Sequence, residues 1–140
     1  MDLVEALSAG RTLAEIQGIP AEVGDLVAEV ASGELEAGRA DRARVVLEGL
    51  VVTNPRDARA WALLGCAHRR LGYPLPARLC AEVAAALAPG DPSARLGRAE
   101  ALLAFPEERE AGRAELEALA AVPSPVGERA RALGAALGGG

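Results

Sequence analysis

Residues 58–89, ARAWALLGCAHRRLGYPLPARLCAEVAAALAP, contain the pattern that decides the fold. Two segments of helical length lie on either side of Gly72. Gly65 in the first and Ala77 in the second are small enough for two antiparallel helices to approach closely, while Trp61 supplies bulk toward a neighbouring pair. The residues at fixed offsets are Trp61, Leu64, Gly65, His68, Gly72, Ala77, Ala81, Ala84 and Pro89. The stretch therefore predicts a helical hairpin, which needs neighbouring hairpins because one alone cannot bury its apolar face.

The hairpin pattern recurs with a period of 34 residues, which separates Pro55, Pro89 and Pro123. This period and the offsets within the hairpin are typical of the tetratricopeptide repeat (TPR). Aligned on the prolines, the small residues form two columns, which are Ala43, Ala77 and Ala111, and Ala31, Gly65 and Ala99. We therefore predict an all-α TPR solenoid of three repeats, at about residues 24–57, 58–91 and 92–125.

The repeats are expected to lie within a TPR domain over residues 20–140, preceded by an N-terminal helical arm over residues 1–19. A C-terminal capping helix is predicted over residues 126–137, because the last apolar face of a solenoid otherwise meets water. Phe105 and Pro106 stand where the second repeat has its glycine turn, so the third corner is predicted to differ. Apolar residues at helical spacing predict one helix in repeat 1 and one in the arm. In repeat 1 they are Val23, Leu26, Val27, Val30 and Leu35, and in the arm they are Leu3, Val4, Leu7, Leu13 and Ile16.

The charge of the chain disfavours two classes of partner. Its 15 basic and 20 acidic residues give a net charge of −5, which argues against nucleic acid and anionic membranes. Cys66 and Cys80 do not form a CxxC pair, so reduced thiols are expected. The N-terminus lacks the pattern of a signal peptide, and no apolar run approaches about 20 residues. We therefore expect a cytoplasmic protein.

Few residues offer catalytic or metal chemistry. His68 is the one histidine of the sequence and lies in a repeat core column, so a packed, hydrogen-bonded side chain is expected rather than a catalytic one. Cys66 lies two residues earlier on the same helix, where side chains point to different faces and cannot form a dyad. No hydrolase, metalloprotease or nucleotide-binding motif is present. The sequence predicts no enzyme activity, no cofactor and no metal site.

The first helices of stacked TPR hairpins line a concave groove. By the repeat register, the groove-facing positions are Asp25, Ala28, Ser32, Leu35 and Glu36, then Arg59, Ala62, Cys66, Arg69 and Arg70, then Ser93, Leu96, Glu100, Leu103 and Ala104. Small floor residues leave pockets for an extended peptide, and arginines can bond its carbonyls or carboxylates. The predicted peptide-binding residues are Leu35, Arg59, Ala62, Cys66, Arg69, Arg70, Leu96 and Leu103. The alternative is that Arg69 and Arg70 are ordinary solvated residues.

Several short motifs are similar to a narrower group of TPR proteins. LSAGRTL at residues 7–13 is followed by IQGI at 16–19, AGR at 37–39, LGC at 64–66 and RLGY at 70–73. Together they resemble the class II type III secretion chaperones, which are the TPR chaperones of hydrophobic translocator proteins. The resemblance covers roughly residues 7–121.

The resemblance implies a small bacterial cytosolic protein that binds translocators before export and keeps their membrane-active segments from aggregating. Members of the family hold a short extended segment of the form P-x-L-x-x-P in the groove. Many dimerise through the N-terminal region, so a homodimer through the arm is expected. The positions that the resemblance favours are Leu35, Ala62, Cys66, Arg69 and Leu96. Small residues stand here in place of the groove aromatics that are common in the family.

Two other functions stay open on the sequence alone. One is a chaperone of another type III component, such as a needle subunit or an early export substrate. The other is a TPR scaffold for protein interactions in regulation or motility. A neighbouring gene for a protein with two long apolar helices would favour a translocator partner, and one for a short helical protein would favour a needle subunit.

Overall fold

The computed structural model of the protein describes residues 5, 6 and 9–138. Its helices are α1 (Leu13–Ile16), α2 (Ala21–Glu36), α3 (Ala40–Thr53), α4 (Ala58–Arg70), α5 (Pro74–Leu87), α6 (Pro92–Leu102), α7 (Arg109–Ala120) and α8 (Pro125–Gly138), with a 3-10 turn at Pro106–Glu108. Helices α2 and α3, α4 and α5, and α6 and α7 pair as three successive hairpins, and α8 packs on the last of them. The predicted all-α hairpin solenoid is confirmed.

The first two hairpins turn at glycines in the left-handed region of the backbone. Gly38 has a φ of +81° and Gly72 a φ of +83°. Around Gly38, the Arg39 N–H donates to the Glu34 carbonyl at 2.8 Å and the Gly38 N–H donates to the Leu35 carbonyl at 3.0 Å. These bonds close a Schellman motif, and the same pair of bonds surrounds Gly72. Glycine is present at both corners because a Cβ is disfavoured at this φ.

Side-chain caps begin two of the first helices. The Asp57 carboxylate accepts a hydrogen bond from the Ala60 N–H at 3.1 Å at the start of α4. At the start of α6 the Asp91 carboxylate accepts one from the Ser93 N–H, also at 3.1 Å. Each bond satisfies an N–H that has no partner inside the helix, so the aspartates fix where the first helices of repeats 2 and 3 begin.

The middle hairpin packs as its sequence predicts. A Cβ added to Gly65 would lie 3.2 Å from the carbonyl oxygen of Ala77 and 3.3 Å from the Cβ of Cys80, so the backbones of α4 and α5 are in close contact there. Trp61 packs against the core, and its indole N–H donates to the Pro55 carbonyl at 2.7 Å. The small and bulky positions of residues 58–89 therefore have the roles that their spacing indicates.

The third hairpin turns without a left-handed glycine. From α6 the chain passes into the 3-10 turn, and the Arg78 guanidinium lies 5.0 Å from the centre of the Phe105 ring. Beyond this corner the repeat register is shifted by one residue, because Gly112 is buried against the Ala99 carbonyl while Ala111 is exposed. The predicted column of small residues is therefore wrong at Ala111.

Two clusters contain most of the buried side chains of the described residues. The larger cluster joins α2, α3, α4 and α5 and contains Leu35, Leu47 and Leu64. The smaller cluster joins α6, α7 and α8 and contains Leu96 and Leu116. Alanine supplies many of the other core positions, because small side chains allow the helices to approach closely.

Helix α2 buries only part of the apolar stripe that predicted it, with Leu35 in the core and Val27 packed against it. Its buried residues are Ala28, Ala31 and Leu35. Val23, Leu26 and Val30 are exposed, and Leu26 keeps 67% of its accessible surface. The helix was predicted correctly from these valines and leucines, but the alanines make its close contacts.

The described part of the arm packs on the first repeat of its own chain. Ala6 and Thr12 are buried, and the Arg56 guanidinium donates to the Gly10 carbonyl. Thr12 and Glu15 form a capping box at the start of α1, with bonds of 3.1 and 3.2 Å between backbone N–H and side-chain oxygen. Leu3, Val4 and Leu7 of the predicted arm lie outside the described residues. Across the described residues, no helix combines the length and the apolar character that a membrane span needs.

Candidate functional site

A groove runs across the first helices of the three hairpins and reaches α8. It encloses about 730 Å³, more than two other cavities of about 400 and 380 Å³ among the described residues. Residues of α2, α4, α6 and α8 line it together with part of α5. Pockets of about 300–1,000 Å³ are typical of ligand sites in proteins. The groove is therefore the candidate functional site.

Seven of the eight predicted peptide-binding residues line the groove. They are Leu35, Arg59, Ala62, Cys66, Arg69, Arg70 and Leu96. Ser32, Glu36, Ser93 and Glu100, which the repeat register also assigned to this surface, line it as well.

Leu103 does not line the groove. It packs into the smaller core cluster, where a Cβ added to Gly112 would lie 3.1 Å from the Leu103 Cδ2. Leu103 is the C-terminal cap of α6, where its N–H still donates to the Ala99 carbonyl at 3.3 Å. Asp25, Ala28 and Ala104 are likewise absent from the groove lining, and Ala28 belongs to the larger core cluster.

The capping helix supplies a wall that sequence reasoning missed. Pro125, Val126 and Arg129 of α8 line the groove. The signal for this was the 34-residue period itself, because one more period after α6 places α8 where a fourth first helix would lie. Gly97 on α6 also lines the groove and was missed, because a glycine has no side chain to assign to a face of the helix.

The floor of the groove is made of small and apolar residues. Ala58, Ala62 and Cys66 of α4 face it, and Ala94, Gly97 and Ala101 of α6 continue it toward α8. The residues that line the groove include no aromatic side chain. A floor of this kind leaves space for the side chains of a bound segment and provides apolar surface that such side chains can cover.

Charged side chains surround this floor. The Glu100 side chain is only 11% exposed, and its carboxylate forms an ion pair with the Arg69 guanidinium at 2.8 Å. The other carboxylate oxygen lies 3.7 Å from the Arg129 guanidinium on the capping helix. Arg59 pairs with Glu29 at 2.5 Å. One carboxylate of the groove lining thus holds two guanidiniums that also line the groove.

Arg70 differs from the other arginines of the groove. Its guanidinium donates to the backbone carbonyl of Leu35 at 2.5 Å, and within the described residues no carboxylate pairs with it. The bond ties α4 to the end of α2, and the side chain stays exposed. Arg70 therefore keeps donors available for a ligand carboxylate or carbonyl.

The two cysteines have different environments. Cys66 is half-buried in the groove, 3.7 Å from an Arg69 nitrogen, and Cys80 is buried between helices. Burial raises the pKa of the Cys80 thiol to about 11. Both are free thiols, as expected. Cys66 is therefore the cysteine that a reagent in the groove can reach.

His68 does not line the groove. It is partly buried, its ring lies edge-on to Tyr73, and burial lowers its pKa below the ordinary value. The expectation of a packed histidine holds, but its Nδ1 has no hydrogen-bond partner among the residues described, so the expected hydrogen bond is absent at that atom. In the part of the chain that the structure describes, no cluster of three His, Cys, Asp or Glu side chains could hold a metal ion.

No protein-family model matches the sequence, and no curated protein matches it. Solved structures share the fold. A T3SS complex from Aeromonas hydrophila aligns with a TM-score of 0.79 at 23% identity, over 96% of this chain and 93% of the other. The type III secretion translocator chaperone SycD of Yersinia enterocolitica aligns with a TM-score of 0.74 at 23% identity, over 89% and 97%. PcrH, a Pseudomonas aeruginosa protein solved in complex with the chaperone binding region of PopD, aligns with a TM-score of 0.71 at 22% identity, over 87% and 96%.

Proposed function

We propose that the protein is a type III secretion chaperone that binds a hydrophobic translocator protein through an extended segment in the groove. It keeps the translocator soluble and competent for export in the bacterial cytoplasm. The observation that carries the proposal is a preformed, small-floored groove along α2, α4, α6 and α8. Its support is the fold shared with PcrH, which is solved with a chaperone binding region.

The proposed action is binding rather than catalysis. Covering an apolar export segment removes the surface through which translocators would associate, and this needs no nucleotide. Leu35, Ala62 and Leu96 supply the apolar contact, while Arg59, Arg69 and Arg70 bond the carbonyls and carboxylates of the segment. Because the groove exists before binding, little affinity is lost in ordering it, and moderate affinity permits release at the secretion machine.

Co-expression with the translocator of the same gene cluster, followed by co-purification, tests the proposal. Ala62→Glu places a long carboxylate on the half-buried floor of the groove, and we expect it to abolish the complex. Ala86→Glu is the matched control, because Ala86 is exposed on α5 and outside the groove. Both variants should keep wild-type helicity by circular dichroism. Survival of the complex in Ala62→Glu would contradict the proposed site.

Alkylation of Cys66 in the wild-type protein gives a second test of the site. Iodoacetamide should label Cys66 quickly and Cys80 slowly, because Cys80 is buried with a pKa of about 11. Bound translocator should slow the labelling of Cys66 at least about tenfold, since it covers the groove. A Cys66→Ser variant reports the rate of Cys80 alone. Equal rates for Cys66 with and without translocator would place the partner elsewhere.

A short helical needle subunit in place of a translocator is the competing partner for the same groove. Co-purification of the needle subunit alone, with loss of the complex in Ala62→Glu, would keep the binding site and reject the translocator. Retention of the needle complex in Ala62→Glu would reject both the partner and the site.

A further inference from the structure

We propose that the groove selects an acidic, extended segment by seating one aromatic side chain of that segment beside Gly97. This inference rests on the proposed function, because it assumes that the groove binds a peptide. It specifies the side chain that anchors the peptide and the charge that accompanies it.

Gly97 opens a space that the repeat pattern would fill. Gly97 and Leu63 lie 34 residues apart, so they occupy the same position of two successive repeats, and both line the groove. Leu63 packs against the larger core cluster, whereas a Cβ added to Gly97 would meet no atom within 4 Å. The groove therefore has room at Gly97 for a side chain that the protein does not supply.

The guanidiniums next to this space favour an aromatic ring over an aliphatic side chain. Glu100 lies one helical turn after Gly97 and therefore on the same face of α6. It holds Arg69 at 2.8 Å and Arg129 at 3.7 Å, so two guanidiniums are held at the groove residue one helical turn from Gly97. A ring seated there gains cation–π attraction, and an aliphatic side chain does not. The groove lining contains no aromatic residue that could already occupy this position.

The charges along the groove favour acidic residues in the same segment. Its lining includes four arginines and three carboxylates, but Arg59 already pairs with Glu29 outside the lining, and Arg69 and Arg129 share Glu100. The arginines are Arg59, Arg69, Arg70 and Arg129, and the carboxylates are Glu36, Asp91 and Glu100. Arg70 bonds only a backbone carbonyl among the described residues. A carboxylate of the segment would complete the pairing of Arg70.

Panning a random peptide display library on the full-length protein tests the proposal and does not require the natural partner. We expect the enriched sequences to combine Phe, Tyr or Trp with Asp or Glu. In the most enriched peptide, replacing the aromatic residue by Leu should weaken binding about 5- to 30-fold in fluorescence anisotropy. Enrichment of aliphatic anchors alone, enrichment of basic peptides, or no enrichment would overturn the proposal.

Variants at two glycines identify where the anchor sits. Gly97→Leu fills the space and should weaken the aromatic peptide at least about tenfold, while changing the affinity of its Leu version much less. Gly33→Leu is the control, because Gly33 is exposed on α2, has no atom within 4 Å of an added Cβ and lies outside the groove. It should bind both peptides like the wild type. Equal losses for the two peptides in Gly97→Leu would refute an anchor at this position.

The outcomes separate this inference from the proposed function. If the translocator co-purifies and Ala62→Glu abolishes that complex, but the library yields aliphatic anchors, the function stands and the aromatic anchor is rejected. If aromatic, acidic peptides bind at Gly97 but no translocator is captured, the anchor stands and the translocator function is rejected.

Discussion

The close contact between α4 and α5 makes opposite predictions for two Gly→Ala substitutions. Gly49 lies inside α3, where an added Cβ would meet no atom within 4 Å. Gly49→Ala should therefore raise the free energy of unfolding by up to about 1 kcal/mol, the difference in helix propensity. Gly65→Ala gains the same propensity, but its Cβ would lie 3.2 Å from the Ala77 carbonyl oxygen and 3.3 Å from the Cys80 Cβ.

The cost at Gly65 comes from backbone and Cβ atoms that cannot rotate away. All of its close neighbours belong to α5, so an added methyl group has to displace that helix as a unit. Overpacking of this kind costs about 1–3 kcal/mol. The two variants should then differ by about 1–3 kcal/mol, and the propensity gain cancels in that difference. For a chain of this length the difference corresponds to about 3–10 °C in Tm.

Thermal and urea denaturation followed by circular dichroism at 222 nm measure the difference. Gly65→Ala should melt below Gly49→Ala, and the urea midpoint should move in the same direction with an unchanged slope. If the two variants melt together, α4 and α5 do not approach each other at Gly65, and the packing of the middle hairpin is wrong. In Gly65→Ala the displaced α5 should also disturb the groove at Cys66, which lies one residue beyond Gly65. Bound translocator should therefore slow the alkylation of Cys66 less in this variant than in the wild type.

Three further predictions follow from the structure. Burial holds the pKa of His68 below its ordinary value of about 6.5, so the unfolded chain binds the proton more readily than the folded chain. The free energy of unfolding should therefore fall as pH is lowered through about 6.5 and level off below the folded pKa. Urea titrations at several pH values should show this dependence in the wild type and its loss in His68→Gln. Glu100→Gln leaves Arg69 and Arg129 without their carboxylate, so it should lower stability by about 1–2 kcal/mol in the same assay and tighten the binding of acidic peptides. Deleting residues 1–18 should lower the particle mass in light scattering if the arm mediates a homodimer, and an unchanged mass would reject arm-mediated dimerisation.

The hairpins were predictable because their signals are local. Gly38 and Gly72 stand at corners that require a positive φ, and Asp57 and Asp91 cap the helices that begin repeats 2 and 3. Each of these residues acts within a few positions of itself, so the sequence contains the whole cause. The 34-residue spacing of the prolines then sets how many hairpins follow one another.

The buried face of α2 could not be predicted from hydrophobicity. Leu26 and Val30 are more apolar than Ala28 and Ala31, yet the alanines are buried and the larger residues are exposed. The distance between helices decides this choice, because a close approach accepts a methyl group and excludes a branched side chain. That distance is a property of the stacked hairpins and is not present in α2 alone, and it also explains why Ala28 belongs to the core rather than to the groove.

The errors in the third repeat all lie at or beyond the corner that contains Phe105. Up to Leu96 and Glu100 the repeat register places side chains correctly, since these positions are counted along an uninterrupted helix from a capped start. The 3-10 turn at Pro106–Glu108 then shifts α7 by one residue, so Gly112 replaces Ala111 at the helix contact. Leu103, at the end of α6, packs against the smaller core cluster. The same shifted corner explains why α8 was missed as a wall of the groove. A period that is exact in sequence does not fix how a helix after an irregular turn is rotated about its own axis. The rotation of α8 decides which of its residues face the groove, and it places Arg129 3.7 Å from Glu100.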